Sequence, residues 1–383
     1  MDMNRRKKTL ALVSFLAQFT ICMVNFALIY HLKFRFALSS SAIGIASSIY
    51  TVAYFLSCLA LEKPLRRLGR RMKAMSALIG MGGAHLLILL APSAWMVYPL
   101  LAFYGIAMSL LWPNMEAWIT SGDDEDELPR SLSLFNFSWS FGAGLSTMVG
   151  GFLVEIGSGF AVAFSVMLFL SASILLLSIG KGREEEAGHR EETTVAGTST
   201  DLRFFSWVGI FLSYSCYALM VNIFPLYALE HLGFSEGLTG TLLLARGMTA
   251  CFSFLLLSRL GFWKFSMKTI MLSQAALALI FIAFRSMRSP VGYAAVFLLY
   301  GFVFALVYEL SIFHGAYGAE NPDRRMVIHE VLINVGQVLG SVLGGILYQK
   351  YSFTLILMLL SMITAVSLSV ELVAYAVLRR RRA

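Results

Sequence analysis

Charge is scarce in this chain. Asp, Glu, Lys and Arg make up 14% of its 383 residues and hydrophobic residues 58%, against roughly 25% and 45–50% in a soluble globular domain. Water is therefore the wrong solvent for it. The four cysteines, Cys22, Cys58, Cys216 and Cys251, fall singly inside apolar runs, without the paired spacing of a disulfide framework or a metal site. No GxxxxGK[ST] loop occurs, which leaves the chain without a visible means of hydrolysing ATP. The pair His329–Glu330 lacks the second histidine of a zinc protease motif. There is no nucleophile elbow, and no carboxylates cluster within the apolar runs. These absences argue against an enzyme, a metal centre and a bound cofactor.

What the chain does have is long apolar runs. Stretches of about 20 residues, enough to cross a hydrocarbon layer roughly 30 Å thick as helix, recur from Thr9 to Leu378, and twelve can be counted. Alternating ten-residue strands are missing, and helices satisfy their backbone polar groups internally, so a helical bundle is expected rather than a barrel. The fold class is an all-α polytopic membrane protein, with the lipid bilayer as its surroundings. The first run follows the basic start MDMNRRKK and reaches Tyr30 and His31 without a small-residue cleavage site, the pattern of a retained helix.

The formal net charge of +8 invites nucleic acid as a partner, but the positions of the bases exclude it. With the N-terminus placed in the cytoplasm, most Lys and Arg residues fall in the tails and in the loops on that same side, the positive-inside bias of a membrane protein. Both termini, including the final RRRRA, are expected on the cytoplasmic side of the inner cell membrane.

The stretch MVNFALIYHL at Met23 returns at Met220 as MVNIFPLYAL. Asn25 matches Asn222 and Tyr30 matches Tyr227. Other echoes keep nearly the same offset: Arg67, Leu68 and Gly69 match Arg259, Leu260 and Gly261, and Glu116 matches Glu309. Arg130 matches Arg324, while Gly142, Gly150 and Gly151 match Gly336, Gly344 and Gly345. The longest polar stretch, residues 181–203, reads as a cytoplasmic linker. Residues 1–180 and 204–383 then form two six-helix bundles, and because six is even, the duplication is a parallel repeat about a pseudo-twofold axis along the membrane normal.

With these residues in place the chain resembles the major facilitator superfamily (MFS) of secondary transporters over essentially its whole length. The loop LEKPLRRLGRRMK looks like that family's signature between spans 2 and 3. Arg67, Gly69, Arg70 and Arg71 fit it, while Glu62 stands at its first glycine and Arg66 at its acid. The run GAGLSTMVGG resembles the family's pattern in span 5, without its proline. The resemblance implies two bundles rocking around a central cavity, with spans 1, 4, 7 and 10 innermost.

Ionisable residues inside a membrane are costly and are candidates for function by default. Arg246 lies about eight residues, roughly 12 Å at 1.5 Å per residue, from the outer end of span 8. It can anchor a carboxylate or phosphate with two parallel hydrogen bonds or serve a structural bond, and no acid is placed at its depth. Asn25 and Asn222 either contact substrate or bridge helices. Tyr54, Trp112, Asn114, Tyr217, Tyr308, Asn334 and Gln337 are further cavity candidates.

Nearer the cytoplasm, Glu116 and Glu309 either pair with Arg70 or Arg71 and with Arg259 or Lys264 to hold the inner gate shut, or bind protons. His329 and Glu330, at the start of span 11, face the gate and offer a coupling site, histidine titrating near neutral pH. Arg130 and Arg324 share a gate role by the repeat. His85 and Glu371, on peripheral spans, are read as interhelical bonds.

The functional reading is a secondary active transporter that moves a small solute by alternating access, with protons as the candidate coupling ion and the monomer as the working unit. Arg246 favours an anionic or amphipathic metabolite. Multidrug or amphiphile efflux by proton antiport is the alternative within the class, and a membrane receptor that binds without translocating is the alternative outside it.

Overall fold

The structure, a computed structural model, describes residues 3–61, 68–121, 128–179, 201–318 and 322–382, and all regular structure among them is helical. Hydrocarbon offers backbone N–H and C=O groups no partner, so only segments that bond internally survive in it. Twelve helices are long and apolar enough to cross a membrane. In chain order they are α1 (Met3–Phe36), α2 (Ser40–Leu61), α3 (Arg70–Leu90), α4 (Ala94–Ser109) continued by α5 (Trp112–Ile119), α6 (Leu128–Ile156) and α7 (Ser158–Leu177). There follow α8 (Leu202–Asn222) continued by α9 (Phe224–Tyr227), α10 (Glu236–Arg259), α11 (Met267–Ser286), α12 (Pro290–Ala316), α13 (Pro322–Lys350) and α14 (Phe353–Arg382). Glu62, Arg66, Arg67, the acidic run 122–127 and most of the linker at 181–203 lie outside the described residues, and Leu202 already opens α8.

Three helices depart from their expected course, each at a proline. Span 4 is broken after Ser109, because Pro113 has no N–H to donate and its ring would strike the Ser109 carbonyl. Tighter i−3 bonds, Leu110 N to Ala107 O and Leu111 N to Met108 O, bridge the break. Pro225 likewise ends α8 at Asn222, and the chain continues through α9 and a π turn, Ala228–Leu232, closed by Gly233 at φ 65°. The span expected to begin at His329 begins at Pro322 instead, where the fixed φ of a proline suits a first helical turn.

Helix packing follows the repeat. Within the first set α1 packs on α6, α2 on α4 and α3 on α7; within the second α8 packs on α13, α10 on α12 and α11 on α14. Two crossings join the sets and mirror each other, α6 on α10 and α2 on α13. The glycines of the repeat divide between these tasks. Gly142 and Gly150 lie against α1, and Gly336 and Gly344 against α8, so they bring helices together within a set. Gly144 and Gly247 face each other between sets, backbone to backbone, while Gly345 rests on the Ser40 carbonyl.

The contacts between sets lie toward the face opposite the N-terminus. Thr147 Oγ1 donates to Gly240 O at 3.1 Å, Gly237 N donates to Glu155 Oε1 at 2.9 Å, Ser41 N donates to Gln349 Oε1 at 3.2 Å, and Tyr30 OH donates to Pro225 O at 3.4 Å. That face is closed.

A side chain at Gly247 would push α10 off α6, since a Cβ there would sit 2.7 Å from the Gly144 Cα. Gly247→Leu is expected to cost about 1–3 kcal/mol, the range for overpacking, seen as a lower melting temperature of the purified protein in detergent. Gly83→Ala, where nothing lies within 4 Å, should leave the melting temperature unchanged or raise it.

Candidate functional site

A cavity of about 280 Å³ lies between the two sets of helices. Its wall takes residues from α1, α2, α4, α5 and α6 on one side and from α8, α10, α12 and α13 on the other. Toward the face opposite the N-terminus it is sealed by the crossings just described. At its other end the lining residue Glu330 is exposed, so the cavity is open to the face where the chain begins.

Arg246 projects from the middle of α10 and is buried, yet its guanidinium reaches the cavity wall. Its guanidinium carbon stands 4.7 Å from the Tyr217 ring centre and 5.4 Å from that of Phe304. An aromatic face attracts a cation electrostatically and holds it without neutralising it. Nε has no hydrogen-bond partner, and no described carboxylate lies within ion-pair distance of the group. The rings continue along the wall: Tyr214 is 5.6 Å from Tyr217 and 6.3 Å from Tyr308. The amphipathic wall can thus hold an apolar solute body beside one anionic group.

The polar lining is grouped around this aromatic strip. Asn222 Nδ2 donates to Ser341 Oγ at 2.7 Å, tying α8 to α13 near the closed end. Asn334 Nδ2 donates to the Glu330 carbonyl at 2.7 Å. Asn25, Gln337, Tyr54 and Trp112 also line the cavity, so these sequence candidates are brought together with Arg246, Tyr217 and Tyr308. Asn114 is not among them. The turn before Pro113 directs it to α3, where Nδ2 donates to Arg70 O at 2.6 Å.

Residues missed by sequence reasoning include Gln18, Cys22, Tyr50 and Tyr214. Gln18 and Cys22 stand seven and three positions before Asn25, and Tyr214 three before Tyr217, so helical spacing from a known lining residue was the signal that could have found them.

The expected gate pairs are not formed here. Glu116 is exposed and Glu309 half-buried, and neither pairs with Arg70, Arg71, Arg259 or Lys264. Arg71 instead donates to the Ile179 and Leu177 carbonyls at 3.1 and 3.4 Å. Carbonyls at a helix C-terminus lack internal partners and carry partial negative charge, which draws the guanidinium away from the carboxylate. Lys264 lies over the rings of Trp263 and Phe313. Arg130, Arg259 and Arg324 are exposed, outside the cavity lining.

His329 and Glu330 do not sit at a helix N-terminus, since α13 begins at Pro322. The two point apart. His329 is buried against α12 with Nδ1 2.8 Å from Ser311 Oγ, and only Glu330 faces the cavity. On the peripheral helices, Glu371 accepts from Gln274 at 3.0 Å, and His85 stacks between Tyr104 and Phe169.

The closed face carries an ion pair absent from the sequence reading. Lys33, at the end of α1, pairs with Glu230 at 2.5 Å, and Tyr348 OH on α13 donates to the other Glu230 oxygen at 2.7 Å. Tyr348 OH is also 3.0 Å from His231 Nδ1. Burial works to raise the Glu230 carboxyl, but the hydrogen bonds from Lys33 and Tyr348 and the neighbouring positive charge outweigh it and hold the group below its ordinary value.

A sequence model described as Major Facilitator Superfamily matches residues 10–313. No curated protein sequence matches the chain. Among solved structures, the fold is similar to a POT family transporter in complex with a thioalcohol-conjugated peptide, with TM-score 0.80, 13% identity and 96% of each chain covered. It is similar to a mutant of the nucleoside transporter NupG, with TM-score 0.73, 13% identity, and 95% of this chain and 98% of that one covered. A bacterial homologue of the human lysosomal transporter Spinster, inward-facing and occupied, gives TM-score 0.70, 12% identity, and 90% and 80% coverage. At such identities the likeness shows the fold alone.

The depressed Glu230 carboxyl links the closed face to pH. A group with a lowered folded pKa contributes stability above its unfolded value, near 4.3 for Glu, and loses it as pH falls through the folded value. The protein is expected to melt higher than Glu230→Gln at pH 6, by less than about 1 kcal/mol for so exposed a pair, and the difference should vanish on acidification below the carboxylate range. A difference that grows on acidification would contradict the pair.

Proposed function

The chain belongs to the Major Facilitator Superfamily, and from that premise we propose that this multi-pass secondary transporter moves a small anionic or amphipathic solute by alternating access, with Arg246 as its anchor. One observation carries the reading: a buried cation in the cavity wall has aromatic rings beside it and no carboxylate partner among the described residues. An unpaired charge away from water is costly. An incoming carboxylate or phosphate removes that cost and forms charge-assisted hydrogen bonds as it does so.

The surrounding rings of Tyr217, Tyr308, Tyr54 and Trp112 take the apolar part of the solute, and Asn25, Asn222, Asn334 and Gln337 take its neutral polar groups. Peptides and nucleosides, named for the structural neighbours, suit a wall of this mixed kind. The positive-inside distribution of bases puts the N-terminus in the cytoplasm of the cell, and the cavity open on that side is then the inward-facing state. The bundles at 1–180 and 204–383 rock about the two crossings. The Lys33–Glu230 pair and the Glu155 contact to α10 hold the outer side shut, and parting them opens it. On the inner side Glu116 and Glu309 are placed to meet bases when that end closes.

Counterflow in proteoliposomes across anionic, neutral and cationic solutes tests the proposal. Arg246→Ala should lower uptake of the preferred anion about 10- to 100-fold, the worth of one hydrogen bond to a charged group. Arg246→Lys should recover part of the activity, keeping the charge but not the planar fork or the ring stacking. Equal uptake of neutral or cationic amphiphiles by both proteins would assign Arg246 a structural role, and binding with no flux would make the protein a receptor.

A further inference from the structure

Among the described residues of the cavity wall, Arg246 is the one base and Glu330 the one acid. They do not meet. The rings of Tyr217, Tyr214 and Tyr308 line the wall between them, with centres 5.6 and 6.3 Å apart in succession. Gly340 of α13 packs on the Ser215 carbonyl of α8 and Glu330 stands ten residues before it, so Glu330 lies nearer the open end than Tyr217, over which Arg246 lies. Each charge also lacks an opposite partner. Among the described residues, Arg246 has no carboxylate within ion-pair distance, and Glu330 has no base within it. Glu116, a second carboxylate, adds negative charge near Glu330 at that end of the cavity.

Arg246 is buried and Glu330 exposed at the open end, so the helices that carry them hold the two charges at different depths of one cavity. Glu330 stays apart because α13 is held by its neighbours, Gly336 and Gly340 packing on the Phe211 and Ser215 carbonyls of α8. Its own carbonyl accepts from Asn334, and its neighbour His329 is bonded to Ser311 on α12. The residual field therefore points along the cavity, positive at the middle of the membrane and negative at the open end. A simple anion would satisfy Arg246 and leave its tail facing two carboxylates. A solute with an ammonium group at its other end would satisfy both.

From this juxtaposition, and resting on the proposed role of Arg246, we infer that the substrate is a small zwitterion, with its anionic group at Arg246 and its cationic group at Glu330. The tyrosine faces contribute in the same direction, since an ammonium group beside a ring face is attracted by it. Glu330 is then a specificity-determining residue that selects zwitterions over anions of equal size.

The test measures melting-temperature shifts of the purified full-length protein with matched trios of solutes. Each trio is an ω-amino acid or dipeptide together with its N-acetyl form, which keeps only the anion, and its methyl ester, which keeps only the cation. At least one zwitterion should bind ten-fold or more tightly than both of its partners. In Glu330→Gln that zwitterion should fall to the affinity of its N-acetyl form, while the N-acetyl form itself is unchanged. Glu330→Lys should reverse the choice and favour dicarboxylates, which guards against a variant that merely weakens the fold.

If no zwitterion exceeds its N-acetyl partner, or if the preference survives in both Glu330 variants, the inference is overturned. In that case continued loss of anion binding in Arg246→Ala would keep the anion reading standing. Loss of neither would remove both.

Discussion

Hydrocarbon cannot hydrogen-bond, and the rest of this structure follows from that constraint. Every backbone group in the membrane must find its partner inside the protein, so the chain is helix wherever it crosses and departs from helix only where other protein can take the freed groups. The breaks before Pro113 and Pro225 both lie against the interior, the first bridged by i−3 bonds and the second by Ile223 N donating to Leu219 O and Leu226 N to Ile223 O. They fall in spans 4 and 7, both of which line the cavity.

With the hydrophobic effect weak between helices in lipid, close packing and polar contacts must hold the bundles together. Glycine serves both tasks. Gly142 and Gly336 draw α6 to α1 and α13 to α8 within each set, whereas Gly144 and Gly247 let the sets touch where they cross. The same crossings carry the polar contacts that close one face, Thr147 to Gly240 and Glu155 to Gly237. A transporter must undo one face without unfolding, and contacts of this modest kind, spread over a narrow seam, suit that demand better than a wide apolar interface.

The cavity is where the polar cost is concentrated. Most intramembrane polar groups here are satisfied at short range, as Glu371 is by Gln274 and Asn222 by Ser341. In the cavity wall Asn25 Oδ1 and Arg246 Nε are buried without a hydrogen-bond partner, and Arg246 and Glu330 carry charge without an ion-pair partner among the described residues. An unsatisfied charge that folding could have replaced with an apolar residue is informative about what the site receives, more so than the many rings around it, which pack against each other throughout a chain this rich in phenylalanine.

Much of this was legible in residue order. Helix number, the repeat and the depth of Arg246 depend on local period and length, which the chain writes directly. Nine of the proposed cavity residues, Asn25, Tyr54, Trp112, Tyr217, Asn222, Arg246, Tyr308, Asn334 and Gln337, come together in the folded wall, because innermost position and polarity inside an apolar run point the same way. Asn114 did not, since a proline two residues after the break turned its face. The Lys33–Glu230–Tyr348 contact joins the ends of three elements far apart in the chain, and His329 and Glu330, adjacent in sequence, face opposite ways. Depth along a helix is a matter of counting residues; direction around it and the partner met there are set by packing against helices that are distant in the chain.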